Sequence, residues 1–186
     1  MISSSLQKLE HAIKARSVFL ADRLNPGLLE PEIRAALKRA GITGAVQPVV
    51  DFYLWKNGTI LDDETALEKT GFFPDEIYQF IDLETAIQNW KAMNVAAQQL
   101  SEVLQDTEAE PMFELAGQYF PMFWDGATGS LDVDLRPANN NRLMMIEFES
   151  TEPVCEAYGN FSEFIADAIR ANTEGGTLAC FQTNRV

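Results

Sequence analysis

The sequence predicts an α+β domain: helices first, then an antiparallel sheet, then a closing helix. Three observations carry this reading. Apolar residues recur at helical spacing through the first 55 positions. Between residues 119 and 158 the period becomes two, with Ser130, Asp132 and Asp134 alternating with Leu131, Val133 and Leu135. Helical spacing then returns at Phe161, Phe164, Ile165, Ala168 and Ile169. A chain of 186 residues suits one domain with a sizeable core.

The elements follow in order. A first helix over 6–24 sets Leu6, Leu9, Ile13, Leu20 and Leu24 on one side, with Ser4 and Gln7 as a capping box and Asn25-Pro26-Gly27 as its end. A second helix begins near Pro31, buries Ile33, Ala36, Leu37 and Ala40, and stops at Gly41. A third starts at Pro48, runs through Val49, Phe52, Tyr53 and Trp55, and closes at Asn57-Gly58. Trp55 reads as core, on the same strip as Phe52. Thr59-Ile60-Leu61 and Gln79-Phe80-Ile81 are short strands flanking an acidic loop that opens with Asp62-Asp63-Glu64. Asp82 caps a helix through Leu83, Ala86, Ile87, Trp90 and Met93, reaching as far as Leu104. Residues 105–111 lack periodicity and read as a linker.

The second half reads as a meander. Its strands cover 119–124, 130–135, 143–148 and 154–158, and its turns are Asp125-Gly126-Ala127-Thr128-Gly129 and the Pro- and Asn-rich stretch 136–141. One buried face is expected to carry Leu131, Val133, Leu135, Met144, Ile146 and Phe148, leaving Asp132 and Asp134 on a solvated face. Asn160, with Glu163 at the reciprocal position, caps the last helix, Gly175-Gly176 ends it, and Thr177 to Phe181 form a terminal strand.

Composition narrows the chemistry. His11 is the single histidine, so a Ser-His-Asp or Cys-His relay has one residue to be built on. Zinc-ligand spacings, a phosphate-binding glycine loop, a dinucleotide fingerprint and a nucleophile elbow are all missing from the sequence. Asp125 and Gly129 followed by Asp132 and Asp134 lack the order and distal Glu of an EF-hand. Carboxylate chemistry stays open as a hydrolase reading. No apolar run approaches the ~20 residues of a membrane span, and no signal-like segment opens the chain, so the expected setting is cytoplasmic, with Cys155 and Cys180 as thiols.

Formal charge is −14 and is unevenly spread. Residues 1–50 hold seven basic against four acidic side chains, net +3, so the remainder carries −17. Such a field repels phosphate backbones and attracts a basic protein, although acidity also serves plain solubility. The partner-binding candidates are Trp124, Asp125, Ser130, Asp132 and Asp134 on the sheet, and Asp62, Asp63 and Glu64 on the acidic loop. The sheet aspartates would pair with Lys or Arg of a basic partner, with Trp124 as an edge anchor.

An ordered set of segments carries a resemblance. Pro31-Glu32-Ile33, Phe52-Tyr53-Leu54-Trp55-Lys56-Asn57-Gly58 and Phe80-Ile81-Asp82-Leu83-Glu84-Thr85-Ala86-Ile87 are followed by Tyr119-Phe120-Pro121-Met122-Phe123, the Asp125 to Gly129 turn and Tyr158-Gly159-Asn160-Phe161-Ser162-Glu163-Phe164-Ile165. Over residues 28–171 this succession resembles the SUKH superfamily of fungal cell-wall assembly regulators and bacterial immunity proteins. The resemblance implies a single SUKH-like α+β domain at 28–174 with a central, mainly antiparallel sheet flanked by helices. Residues 1–27 would then be a helical extension and 175–186 a tail or extra strand. It also implies a non-enzymatic binding role without a cofactor, toward a nuclease- or deaminase-type toxin or toward an endogenous regulatory partner.

Overall fold

The computed structural model describes residues 2–60, 71–74, 78–103, 117–127, 129–139, 141–147 and 154–182. The architecture is α+β. Helices α1 (Ile2–Arg16), α2 (Val18–Ala21), α3 (Glu30–Ala40) and α4 (Gln47–Trp55) precede α5 (Leu83–Val103), and α6 (Phe161–Glu174) and α7 (Ala179–Gln182) end the chain. Strands β1 (Leu24–Pro26) and β2 (Lys56–Thr59) pair with each other. Strands β3 (Gln79–Phe80), β4 (Tyr119–Trp124), β5 (Gly129–Asp134), β6 (Leu143–Glu147) and β7 (Val154–Tyr158) form an antiparallel sheet in sequence order. The expected meander is present, with β3 added at its edge.

Local signals explain most boundaries. Ser17 interrupts the expected first helix: its hydroxyl accepts from Leu20 N and starts α2, so Leu24 becomes strand. Ser4 lies inside α1 rather than at its cap. Gly41 ends α3 at φ 80°, a left-handed conformation that costs glycine little. Asn57 and Gly58 belong to β2 instead of closing a turn. Gly58 sits at φ +79°, and a Cβ there would stand 2.4 Å from Asp82 N. Asp82 caps α5, accepting from Glu84 N and Thr85 N at 3.0 Å, while Asn57 Oδ1 accepts from Leu83 N. Asn160 Oδ1 caps α6 through Ser162 N and Glu163 N. The expected terminal strand is replaced by α7, because the Asp167 carboxylate takes Ala179 N at 2.7 Å and caps a turn.

The sheet is buried on both faces, which corrects the expected register. Across an antiparallel ladder, residues directly opposite share a face. Leu131 faces Met145 and Val133 faces Leu143, and these four join the main core under α4 and α6. Met144 lies opposite Asp132 and Ile146 opposite Ser130, so both sit on the second face. There they cluster with Tyr119, and Met93 of α5 and Val154 pack against them. Ser130, Asp132 and Asp134 are therefore interior, at 0% exposure each, and not on a solvated face. Phe148 and residues 105–111 lie outside the described residues.

The main core is aromatic. Phe52 meets the rings of Trp55, Phe72, Phe80, Phe123, Phe161 and Phe164, with centroids 4.8–6.5 Å away. Helix α1 packs against α6 and sends Leu6, Leu9 and Ile13 into the same core, so residues 1–27 contribute to the folded body. Trp55 is half-buried against this cluster, its Nε1 donating to Glu10 Oε2 at 3.1 Å.

Two stability outcomes follow from this packing. Phe52→Ala should cost about 3–5 kcal/mol, read as a lowered urea midpoint, since six ring contacts vanish at once. Gly58→Ala should cost more than the ~1–2 kcal/mol of a left-handed backbone alone, because the new methyl strikes backbone rather than a movable side chain. A Gly58→Ala midpoint equal to wild type would mean that β2 can shift away from α5.

Candidate functional site

Strand β5 holds the polar row. Its alternation sends Ser130, Asp132 and Asp134 into the second face, where two carboxyls of equal burial meet opposite environments. Asp134 is fully partnered. Arg136 donates from Nε at 2.9 Å, from its guanidinium at 2.7 Å and from its backbone N at 2.9 Å, and Asn139 Nδ2 adds a bond at 2.8 Å. Arg136 also donates to Tyr119 Oη at 3.0 Å and lies over that ring. Burial pushes the Asp134 carboxyl up, but the hydrogen bonds and charge from Arg136 and Asn139 outweigh it and hold it below the usual value. Burial raises the Tyr119 phenol despite the nearby Arg136 charge.

Asp132 has no such support. Within ordinary hydrogen-bond geometry neither of its oxygens has a partner among the described residues, and the Ser130 hydroxyl lies only near enough to act on it weakly. Burial pushes its carboxyl up to about 7, and the Ser130 hydroxyl on the same face only partly opposes the rise. Burying a carboxyl with so little support is costly, and such groups mark places where a protein does more than pack.

Trp124 and Asp125 are where the row reaches the surface. Trp124 is half-buried at the end of β4, opposite both Ser130 and Gln79. Asp125 Oδ1 accepts from Ala127 N at 2.8 Å, and its backbone N donates to Gly129 O, which fixes the hairpin turn. A Cβ on Gly129 would meet Tyr78 Oη at 2.6 Å and Asp125 Oδ2 at 2.8 Å, the ends of two side chains that would have to give way. The ladder places exposed Glu147 directly across from Gly129. At this end of the sheet Trp124 shares the face of Ser130, Glu147 shares the face of Gly129 and Leu131, and Asp125 lies in the turn that joins β4 to β5. Sequence reading missed Glu147, because only the β5–β6 register brings it there. It also missed Arg136, although a cation two residues after an aspartate at a strand end is a readable signal.

The other candidates fall elsewhere. Asp62, Asp63 and Glu64 lie outside the described residues. His11 is exposed on α1, its Nδ1 2.7 Å from Gln7 O. Burial pushes the Cys180 thiol up to about 11, with hydrogen bonding to Tyr158 opposing, which makes it a poor nucleophile at neutral pH. Among the described residues, no three His, Cys, Asp or Glu side chains form a group that could hold a metal ion. Neither a family model nor a curated protein matches the chain.

The Asp134 network yields an outcome with a sign. Arg136→Met should cost about 2 kcal/mol at pH 7, below the full penalty for breaking a buried pair because Arg136 is 40% exposed. A carboxyl whose value is lowered on folding stabilises above its unfolded value near 3.8 and loses that contribution as pH falls through the folded value. The gap between wild type and Arg136→Met in denaturant midpoint should therefore shrink below about pH 4. A gap that persists at pH 2 would assign the loss to packing rather than to charge.

Proposed function

We propose that the chain is a non-enzymatic, cytoplasmic protein-binding module of the SUKH type, an immunity protein that neutralises a basic toxin domain. The observation that carries this reading is the charge: −17 over residues 51–186, in a chain whose first fifty residues are net positive. A nuclease or deaminase presents positive charge where its nucleic acid lies, and an acidic protein competes for that surface.

The burial of Asp132 and Asp134 moves the contact from the sheet face to its rim. Asp125 and exposed Glu147 lie to either side of Gly129 at this end of the sheet, and half-buried Trp124 ends the neighbouring strand on the other face. Carboxylates steer the encounter, and an aromatic ring at the centre of a contact slows departure. The acidic loop beginning at Asp62 adds to the same field.

The test asks whether a secreted protein with a toxin-like C-terminal domain is encoded beside this chain, and expresses that domain together with it. Co-expression should restore growth. In binding kinetics, Asp125→Asn with Glu147→Gln should slow association and flatten its salt dependence. Trp124→Ala should leave association unchanged and quicken dissociation by the equivalent of ~2 kcal/mol. Unchanged rates in both variants would remove the rim as the contact. Binding without growth rescue would favour a regulatory scaffold of the kind the fungal members represent.

A further inference from the structure

We propose that the contact between α5 and the second face of the sheet is a proton-dependent latch, closed while the Asp132 carboxyl is protonated and loosened when it ionises. The geometry is a carboxyl at 0% exposure with no charged partner and no hydrogen bond of ordinary geometry among the described residues, set beside the Ser130 hydroxyl, which acts on it only weakly. Around it lie Tyr119, Met144 and Ile146, with Met93 of α5 packed on them. Trp90 and Asn94 of the same helix approach Gly117, in the turn that precedes β4.

Among the described residues the charged groups near this face are engaged elsewhere. On β4, Tyr119 is held by Arg136, and on β5, Asp134 takes the same guanidinium. Arg142, just before β6, pairs with Glu156 of β7 at 2.8 Å, and both are exposed. On α5, Glu84 and Lys91 line the groove against α3 instead. No cation among these groups neutralises Asp132, so its ionised form is stable only when water reaches it. Among the described residues α5 is the helix packed on this face, so lifting it opens a path for water to the carboxyl.

The direction follows from linkage. Asp132 retains its proton up to about pH 7 in the closed state, whereas a solvated aspartate loses it near pH 3.8. Opening therefore releases a proton throughout that interval, and the opening constant rises about tenfold per pH unit from pH ~4 to ~7. Above pH ~7 the carboxyl is ionised in both states and the dependence levels off. Asp134 acts only at the acid end of this range, since its carboxyl is held low.

Amide hydrogen exchange on the full chain, corrected for intrinsic rates, tests this. Protection in peptides from α5 and β4 should fall roughly fiftyfold between pH 5 and pH 7, then hold steady to pH 8. The neutral isostere Asp132→Asn should show a flat profile in the same peptides. Three outcomes overturn the latch. One is a wild-type profile that does not change with pH, whatever the variant does. Another is an identical fall in Asp132→Asn. The third is a loss shared equally by α1 and α6, which would make Asp132 a control on global unfolding.

Discussion

The ring of Phe52 is where the layers of this molecule meet. Its six aromatic neighbours come from α4 itself, from the 71–74 segment, from β3 and β4, and from α6. Edge-to-face contacts of this kind add to the free energy of burial and fix mutual orientation. Helices α1 and α6 reach the same cluster through Leu6, Leu9, Phe161 and Phe164. The first face of the sheet is thereby committed to the helical layer. Its second face is then the one place where polar residues of the central strand can go.

That commitment makes the β5 alternation consequential. In a half-buried sheet Ser130, Asp132 and Asp134 would be solvated, and their charge would be unexceptional. Here the second face has its own apolar cluster, and the row is interior. Two aspartates two residues apart then diverge. Asp134, at the strand end, is within reach of Arg136 and Asn139, and ionisation is favourable. Asp132, one pleat further in, faces Met144 across the ladder and, among the described residues, has only the weakly acting Ser130 hydroxyl as donor. Distance from the strand end decides which carboxyl can be charged.

Much of the fold was legible because its signals are local. Capping by Asp82 and Asn160, the stop at Gly41 and the order of the sheet strands depend on residues close in sequence. The failures share one cause. Leu143-Met144-Met145-Ile146 is apolar at both parities, so period two cannot say which pair faces the main core, and only the ladder decides. The burial of Asp132 was hidden because a solvated face and a sealed polar row have the same alternation. The rim was half legible: Trp124 and Asp125 adjoin a turn motif, but Glu147 arrives through a pairing that no local pattern encodes.

These facts divide the electrostatic work of the molecule. Steering of a partner depends on net charge, to which distant carboxylates contribute through solvent. Asp134 adds little outside, since Arg136 cancels it at 2.7 Å. Asp132 contributes nothing while protonated, so the outward field is set by the helices, the loops and the rim. Anchoring needs contact, which the proposed reading gives to Trp124, while Asp125 and Glu147 join the steering field. A chain can therefore bury charge in its central strand and still bind by charge, provided that the residues that attract and the residues that touch are different ones.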